Sequence, residues 1–112
     1  MKCLAILTGS HAYGAPTDHS DIDLVIRCEN KIADLLRKNS DVSPDGSVRY
    51  GKLNLILCLE DDQYKAWEEG TKDLVAKHQA EERPIGRVEA KDFLNAVRKR
   101  LGIGNNYLEQ PE

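Results

Sequence analysis

The stretch Leu7-Thr8-Gly9-Ser10-His11-Ala12-Tyr13-Gly14, followed by Ser20-Asp21-Ile22-Asp23-Leu24-Val25-Ile26, decides how this chain reads. Residues 2–8 form an apolar run (Cys3, Leu4, Ala5, Ile6, Leu7) that stops at a glycine, the pattern of a buried strand. Gly9 permits backbone angles closed to other residues, so the chain can turn sharply, and Gly14 permits a second close approach. Between them Ser10 offers a hydroxyl and backbone N–H groups to an anion, as short glycine turns entering a helical turn often do. A triphosphate is an anion of suitable size, with Gly9, Ser10, Gly14 and Ser20 as its candidate contacts.

The next strand starts near Asp21, because Ile22, Leu24 and Ile26 alternate with Asp21, Asp23 and Val25. Side chains two apart in a strand share a face and lie roughly 6.6 Å apart. Asp21 and Asp23 therefore face together, while the isoleucines and Leu24 are expected in the core. Two like charges held this close repel, which calls for a cation between them. Mg²⁺, or Mn²⁺ in its place, suits carboxylate oxygens combined with phosphate and water. Two such ions would hold the attacking and leaving oxygens of an in-line displacement. The plainer alternative for Ser-Asp-x-Asp alone is an exposed edge strand with a turn-forming serine. The joint spacing of glycine turn and acid pair favours the site.

Gly9-Ser10, Gly14 and Ser20-Asp21-Ile22-Asp23-Leu24 resemble the G-S-x-x-x-G…S-D-x-D-L signature of the DNA polymerase beta-like nucleotidyltransferase superfamily. The motif covers residues 4–26, and the chain is about the size of a minimal catalytic domain of that superfamily. The resemblance implies that Gly9 and Ser10 bind nucleotide phosphates and that Asp21 and Asp23 hold divalent metal. It also implies the reaction, transfer of a nucleoside monophosphate from an NTP to an acceptor hydroxyl with release of pyrophosphate.

The superfamily carries a third carboxylate on a later strand, which helps to hold a second metal and takes the proton of the acceptor hydroxyl. The matching strand here, residues 52–59, offers Asn54 at that position. An amide can give a metal a neutral oxygen, but it cannot accept a proton at neutral pH. Glu60 shares the parity of Asn54 yet lies roughly 20 Å along an extended strand. Asp18, in the turn before Ser20, is nearer. Asn54-Leu55-Ile56, Trp67, Gly70-Thr71, Leu74 and a final amphipathic helix from about Arg87 resemble small single-domain nucleotidyltransferase-like proteins, some encoded by bacteriophages. The alternative function is a catalytically silent nucleotide-binding or protein-interaction module on the same fold.

At 112 residues there is room for one domain, residues 1–103, with 104–112 expected as a flexible tail. The net charge of −3 argues against general binding to nucleic acid. Larger relatives add domains to choose an acceptor, so a homodimer or a partner protein is a candidate to complete the cleft. Residues 1–2 lead directly into an expected strand, so no signal peptide is expected, and no apolar run approaches the roughly 20 residues that span a bilayer. Cys3, Cys28 and Cys58 read as small buried hydrophobes of a reducing compartment, so the expected location is cytoplasmic.

The order strand, turn, strand, helix, strand pair, helix, helix points to an α+β fold. The resemblance implies the nucleotidyltransferase version of it, a small mixed sheet in two α/β layers with helices mainly on one face. Asn30 is expected to cap a helix over 30–38 with Ile32, Leu35 and Leu36 inward, and Asp61 to cap one carrying Tyr64, Trp67, Thr71, Leu74, Val75 and His78. Gly51 reads as a bulge or bend between extended segments 48–50 and 52–59. Gly70 weakens the helix it sits in. The last helix has its apolar stripe at Phe93, Leu94, Val97 and Leu101, and Arg98-Lys99-Arg100 is a candidate basic patch for a nucleic-acid acceptor, though such a run at a helix end more often complements the dipole. Residues 41–46 mimic the start of a calcium loop, but Lys52 stands where a bidentate glutamate is needed, so a plain turn is expected. His11, Arg49 and Lys52 are accessory candidates near phosphate. His19 is either beside the carboxylates or solvated, His78 belongs to a helix face, and Trp67 is expected in the core.

Overall fold

The computed structural model describes residues 4–44 and 46–102. In chain order the elements are β1 (Leu4–Thr8), α1 (Ser10–Tyr13), β2 (Ile22–Arg27), α2 (Asn30–Lys38), β3 (Asp41–Val42), β4 (Val48–Tyr50), β5 (Leu53–Cys58), α3 (Asp61–Glu81) and α4 (Arg87–Arg100). The strands make one mixed sheet in the order β1-β2-β5-β4-β3. Its central pair, β2 and β5, is parallel and every other pair is antiparallel. A parallel pair needs a long crossover, and α2 with the β3–β4 hairpin supplies it. The α+β class is as expected. The expected tail and Cys3 fall outside the described residues.

Strand alternation assigns the two faces of the sheet. On one face Val25, Ile56 and Cys58 pack with Tyr64 of α3. On the other, Leu55, Leu57 and Val48 pack with Cys28 and with Ala33 of α2. A further cluster joins Tyr13 of α1 to Leu74, Ile85, Ala90 and Leu94 of the α3–α4 region. Three helices thus share one face, and α2 covers the other where a two-layer fold would leave it bare. The cause is compositional, because β2 and β5 carry apolar residues at both parities.

Several local expectations shift. β1 is not buried: it lies at the sheet edge, where Leu4 and Leu7 are exposed and Thr8 is its one buried residue. Ile22 is exposed as well, whereas Val25, on the aspartate side of β2, is fully buried under α3. Leu35 faces solvent, and Ala33 centres the inner face of α2 in its place. Leu101 is likewise exposed.

The helix caps fall one residue earlier than expected, at Glu29 and Glu60, and neither makes a side-chain capping bond. Asp61 instead receives Nε of Arg27 at 2.8 Å from the first turn of α3. Gly51 is not a bulge; with Lys52 it forms a two-residue hairpin turn between β4 and β5, its φ of 59° suiting the twist of the flanking strands. Gly70 does not interrupt α3. A Cβ there would lie 2.4 Å from Cδ2 of Leu94, so its absence lets α3 and α4 approach. Ser43 N donates to Ser47 O and Gly46 N donates to Ser43 O, each at 2.8 Å.

Candidate functional site

The register of the sheet brings four polar side chains into one line. Thr8 pairs with Asp23, Asp23 with Asn54, and Asn54 with Arg49. These residues share a face, and the row lies at the end of the sheet where β1 turns into α1 and where β2 begins.

Gly9 makes that turn at φ 73°, a left-handed conformation that favours glycine. A second constraint acts there, because a Cβ on Gly9 would lie 2.3 Å from Oδ2 of Asp23. The glycine therefore sets both the turn and the approach of the carboxylate. Gly14 is needed for a similar reason, since a Cβ there would lie 2.8 Å from Cα of Ser10. The carbonyl of Gly9 accepts from the amides of Ala12 and Tyr13 at 2.9 and 3.1 Å. The amides of Ser10 and His11 precede these and have no intrahelical carbonyl to meet.

The turn is held from beneath. Thr8 Oγ1 lies 2.9 Å from Thr71 Oγ1 in a buried contact with α3. Burial raises the pKa of the Tyr13 hydroxyl, against the opposing effects of the Thr8 side chain and the Gly9 backbone. The carbonyl of Tyr13 accepts from Ile85 N at 2.8 Å. Sheet, α1 and the α3–α4 connection thus fix the glycine turn together.

The two aspartates differ in state. Asp21 sits at the rim, its Oδ1 3.0 Å from Nη1 of Arg49, and this hydrogen bond holds its pKa below the ordinary carboxylate value. Asp23 is deeper, and burial pushes its pKa up against the opposing effect of an N–H from Asn54. Nδ2 of Asn54 donates to Oδ1 of Asp23 at 3.1 Å, and Oδ1 of Asn54 is a buried acceptor with no hydrogen-bond partner. Among the described residues, no group of three or more histidine, cysteine, aspartate or glutamate side chains is placed to hold a metal ion. The oxygen donors gathered here are two carboxylates and one amide.

Gly9, Ser10, Gly14, Ser20, Asp21, Asp23 and Asn54 all line one cleft of about 890 Å³. His19 is on its wall too. Ser20 supports the loop before β2, its Oγ accepting from Thr17 N at 2.8 Å. Lys52 donates to the carbonyl of Asp18, so these two residues tie the same loop to the β4–β5 turn. His11 is exposed. His78 closes the end of α3, where its carbonyl accepts from Arg83 N and its ring meets the carbonyl of Arg83. Burial pushes the Cys58 thiol up to about 12, which keeps it protonated.

Sequence reading missed the opposite wall. Arg87, Lys91, Asn95 and Arg98 of α4 face the glycine turn across the cleft. Their spacing by four and three residues puts them on one side of a helix, a pattern that any solvated helix face also produces. The basic run at residues 98–100 divides. Arg98 is buried over the Trp67 ring at 4.7 Å and donates to Asn95 Oδ1 at 3.0 Å, whereas Lys99 and Arg100 are exposed. Trp67 packs against both clusters on this side of the sheet and lines the cleft as well.

No protein-family model, curated protein or solved structure matches the chain. No helix among the described residues is long and apolar enough to cross a membrane.

Proposed function

We propose that this chain is a divalent-metal-dependent nucleotidyltransferase that moves a nucleoside monophosphate from an NTP to an acceptor hydroxyl. The observation that carries this is the meeting of Gly9, Ser10, Asp21 and Asp23 in one cleft. The motif they form resembles that of the DNA polymerase beta-like nucleotidyltransferases. The cleft has room for a nucleotide, and the cations Arg87 and Lys91 on its far wall complement an anionic one.

The donor set fits a hard cation, with Asp21 and Asp23 as anionic ligands and Asn54 as a neutral one, its oxygen being the buried acceptor without a partner. A bound Mg²⁺ would neutralise charge on the phosphoryl oxygens. The chain's own residues do the positioning. Gly9 and Ser10 present backbone and hydroxyl donors to phosphate, and the buried contacts among Thr8, Thr71 and Tyr13 hold those donors still. Arg98, buried over the Trp67 ring, lines the same cleft.

One observation favours a second reading, a nucleotide-binding module without turnover. Asn54, where the superfamily has its third carboxylate, donates to Asp23 and cannot accept a proton from an acceptor hydroxyl. Labelled NTPs with Mg²⁺ or Mn²⁺ and a panel of hydroxyl acceptors separate the two. Transfer predicts pyrophosphate release that Asp21→Ala or Asp23→Ala abolishes. NTP binding without release for any acceptor would sink the transferase and leave the module.

A further inference from the structure

The metal-dependent reading leaves one residue of the row without a role. Arg49 stands next to Asn54 on β4 and reaches back past it to Asp21 at 3.0 Å. The site therefore holds two carboxylates, a neutral amide and a guanidinium, which sum to one negative charge. Two dications would bring that sum to three positive charges with no third carboxylate to offset them, a large repulsion at these separations. One dication brings it to one positive charge, so before any nucleotide binds the site accepts one ion far more readily than two.

A guanidinium differs from a metal ion in ways that matter here. It cannot lose its proton, it is permanently tethered, and its planar fork reaches a carboxylate and a phosphate oxygen together. Its attachment point is fixed by the β4–β5 hairpin, whose two-residue turn sets the register of Arg49 against Asn54.

We propose that Arg49 supplies from within the chain the positive charge that a second metal would otherwise bring, so that this cleft binds one divalent cation and keeps a guanidinium on Asp21. This rests on the metal-dependent reading above. It also gives the neutral Asn54 a reason, since a carboxylate there would compete with Asp21 for Arg49 and draw in a second ion.

Titration with Mn²⁺, followed by electron paramagnetic resonance of the free ion and by calorimetry, tests this without any need for turnover. Wild type should bind one Mn²⁺ per chain. Arg49→Gln should still bind one, tighter by about tenfold because a unit charge near the ion is gone. Arg49→Gln combined with Asn54→Asp should bind two. Arg49→Lys, which keeps the charge, should match wild type in number and affinity, and thermal melts monitored by circular dichroism establish that each variant is folded.

Two ions on wild type, an affinity indifferent to Arg49→Gln, or a double variant that stays at one ion would each overturn the proposal while leaving a metal site in place. Absence of Mn²⁺ from every folded variant would overturn the metal-dependent reading itself, and this proposal with it.

Discussion

Two rows of side chains cross the sheet side by side, one residue apart on every strand, and point to opposite faces. Thr8, Asp23, Asn54, Arg49 and Asp41 make one; Leu7, Leu24, Leu55, Val48 and Val42 make the other. The backbone geometry of the two is the same, so what separates them is what they bury. The apolar row is covered at its centre by α2 and gains by losing contact with water. The polar row opens into the cleft at Thr8, Asp23 and Asn54, and at Asp23 it carries a half-buried carboxylate that burial makes harder to ionise. The fold gains from the first row, and in the second it gains at Thr8 but not at the ionised, half-buried Asp23.

The contrast breaks most easily at the centre of the apolar row. Leu55 is almost wholly buried among Val48, Leu57, Cys28 and Ala33. Leu55→Ala should cost about 2–5 kcal/mol in urea unfolding, the range for a leucine removed from a core. That is a large share of a total near 5–15 kcal/mol. A loss under about 1 kcal/mol would mean that this face is not the core it is taken to be.

The polar row should respond more mildly and unevenly. Thr8→Val strands the Thr71 hydroxyl and leaves the Tyr13 hydroxyl with the Gly9 backbone alone, and should cost about 1–3 kcal/mol. Thr71→Val leaves Thr8 with Tyr13 and should cost about 1 kcal/mol. Equal losses from the two would show that Tyr13 does not share the Thr8 hydroxyl.

What the sequence made legible follows the same division. The central strands, the glycine turn and the acid pair could be read because each is local: an apolar run, a glycine, and carboxylates two apart. The location of β1 could not, since Leu4 and Leu7 look the same in sequence whether a strand ends up central or at an edge. Only the strand order exposes them. The α4 wall was hidden for the converse reason, because Arg87, Lys91 and Asn95 have the spacing of a solvated helix face until α3 and Gly70 set α4 over the cleft. Asn54 was singled out by strand parity on a strand matched by resemblance, and the sheet register sets it opposite Asp23. Its bond to Asp23 and the reach of Arg49 to Asp21 depend on the β2–β5 and β4–β5 registers, which no local pattern states.

The smallest effect tests the cost assigned to Asp23 against its neighbour at the rim. Both aspartates start from an ordinary value of 3.8 and move apart on folding, Asp21 down through Arg49 and Asp23 up through burial. For Asp21 the unfolded chain holds more protons below that value. Its contribution is therefore present above pH 3.8 and is lost as pH falls through its folded pKa. For Asp23 the folded chain holds more protons above the same value. Its contribution is full below pH 3.8 and is lost as pH rises through its folded pKa. Urea unfolding measured from acid to neutral pH should then show opposite signs. Asp21→Asn should lower stability at neutral pH and lose that effect in acid, while Asp23→Asn should be neutral or stabilising at neutral pH, because the amide removes a charge that burial disfavours and still accepts from Asn54. If both variants destabilise alike at neutral pH, Asp23 is held by its surroundings as firmly as Asp21, and the polar row carries no cost there.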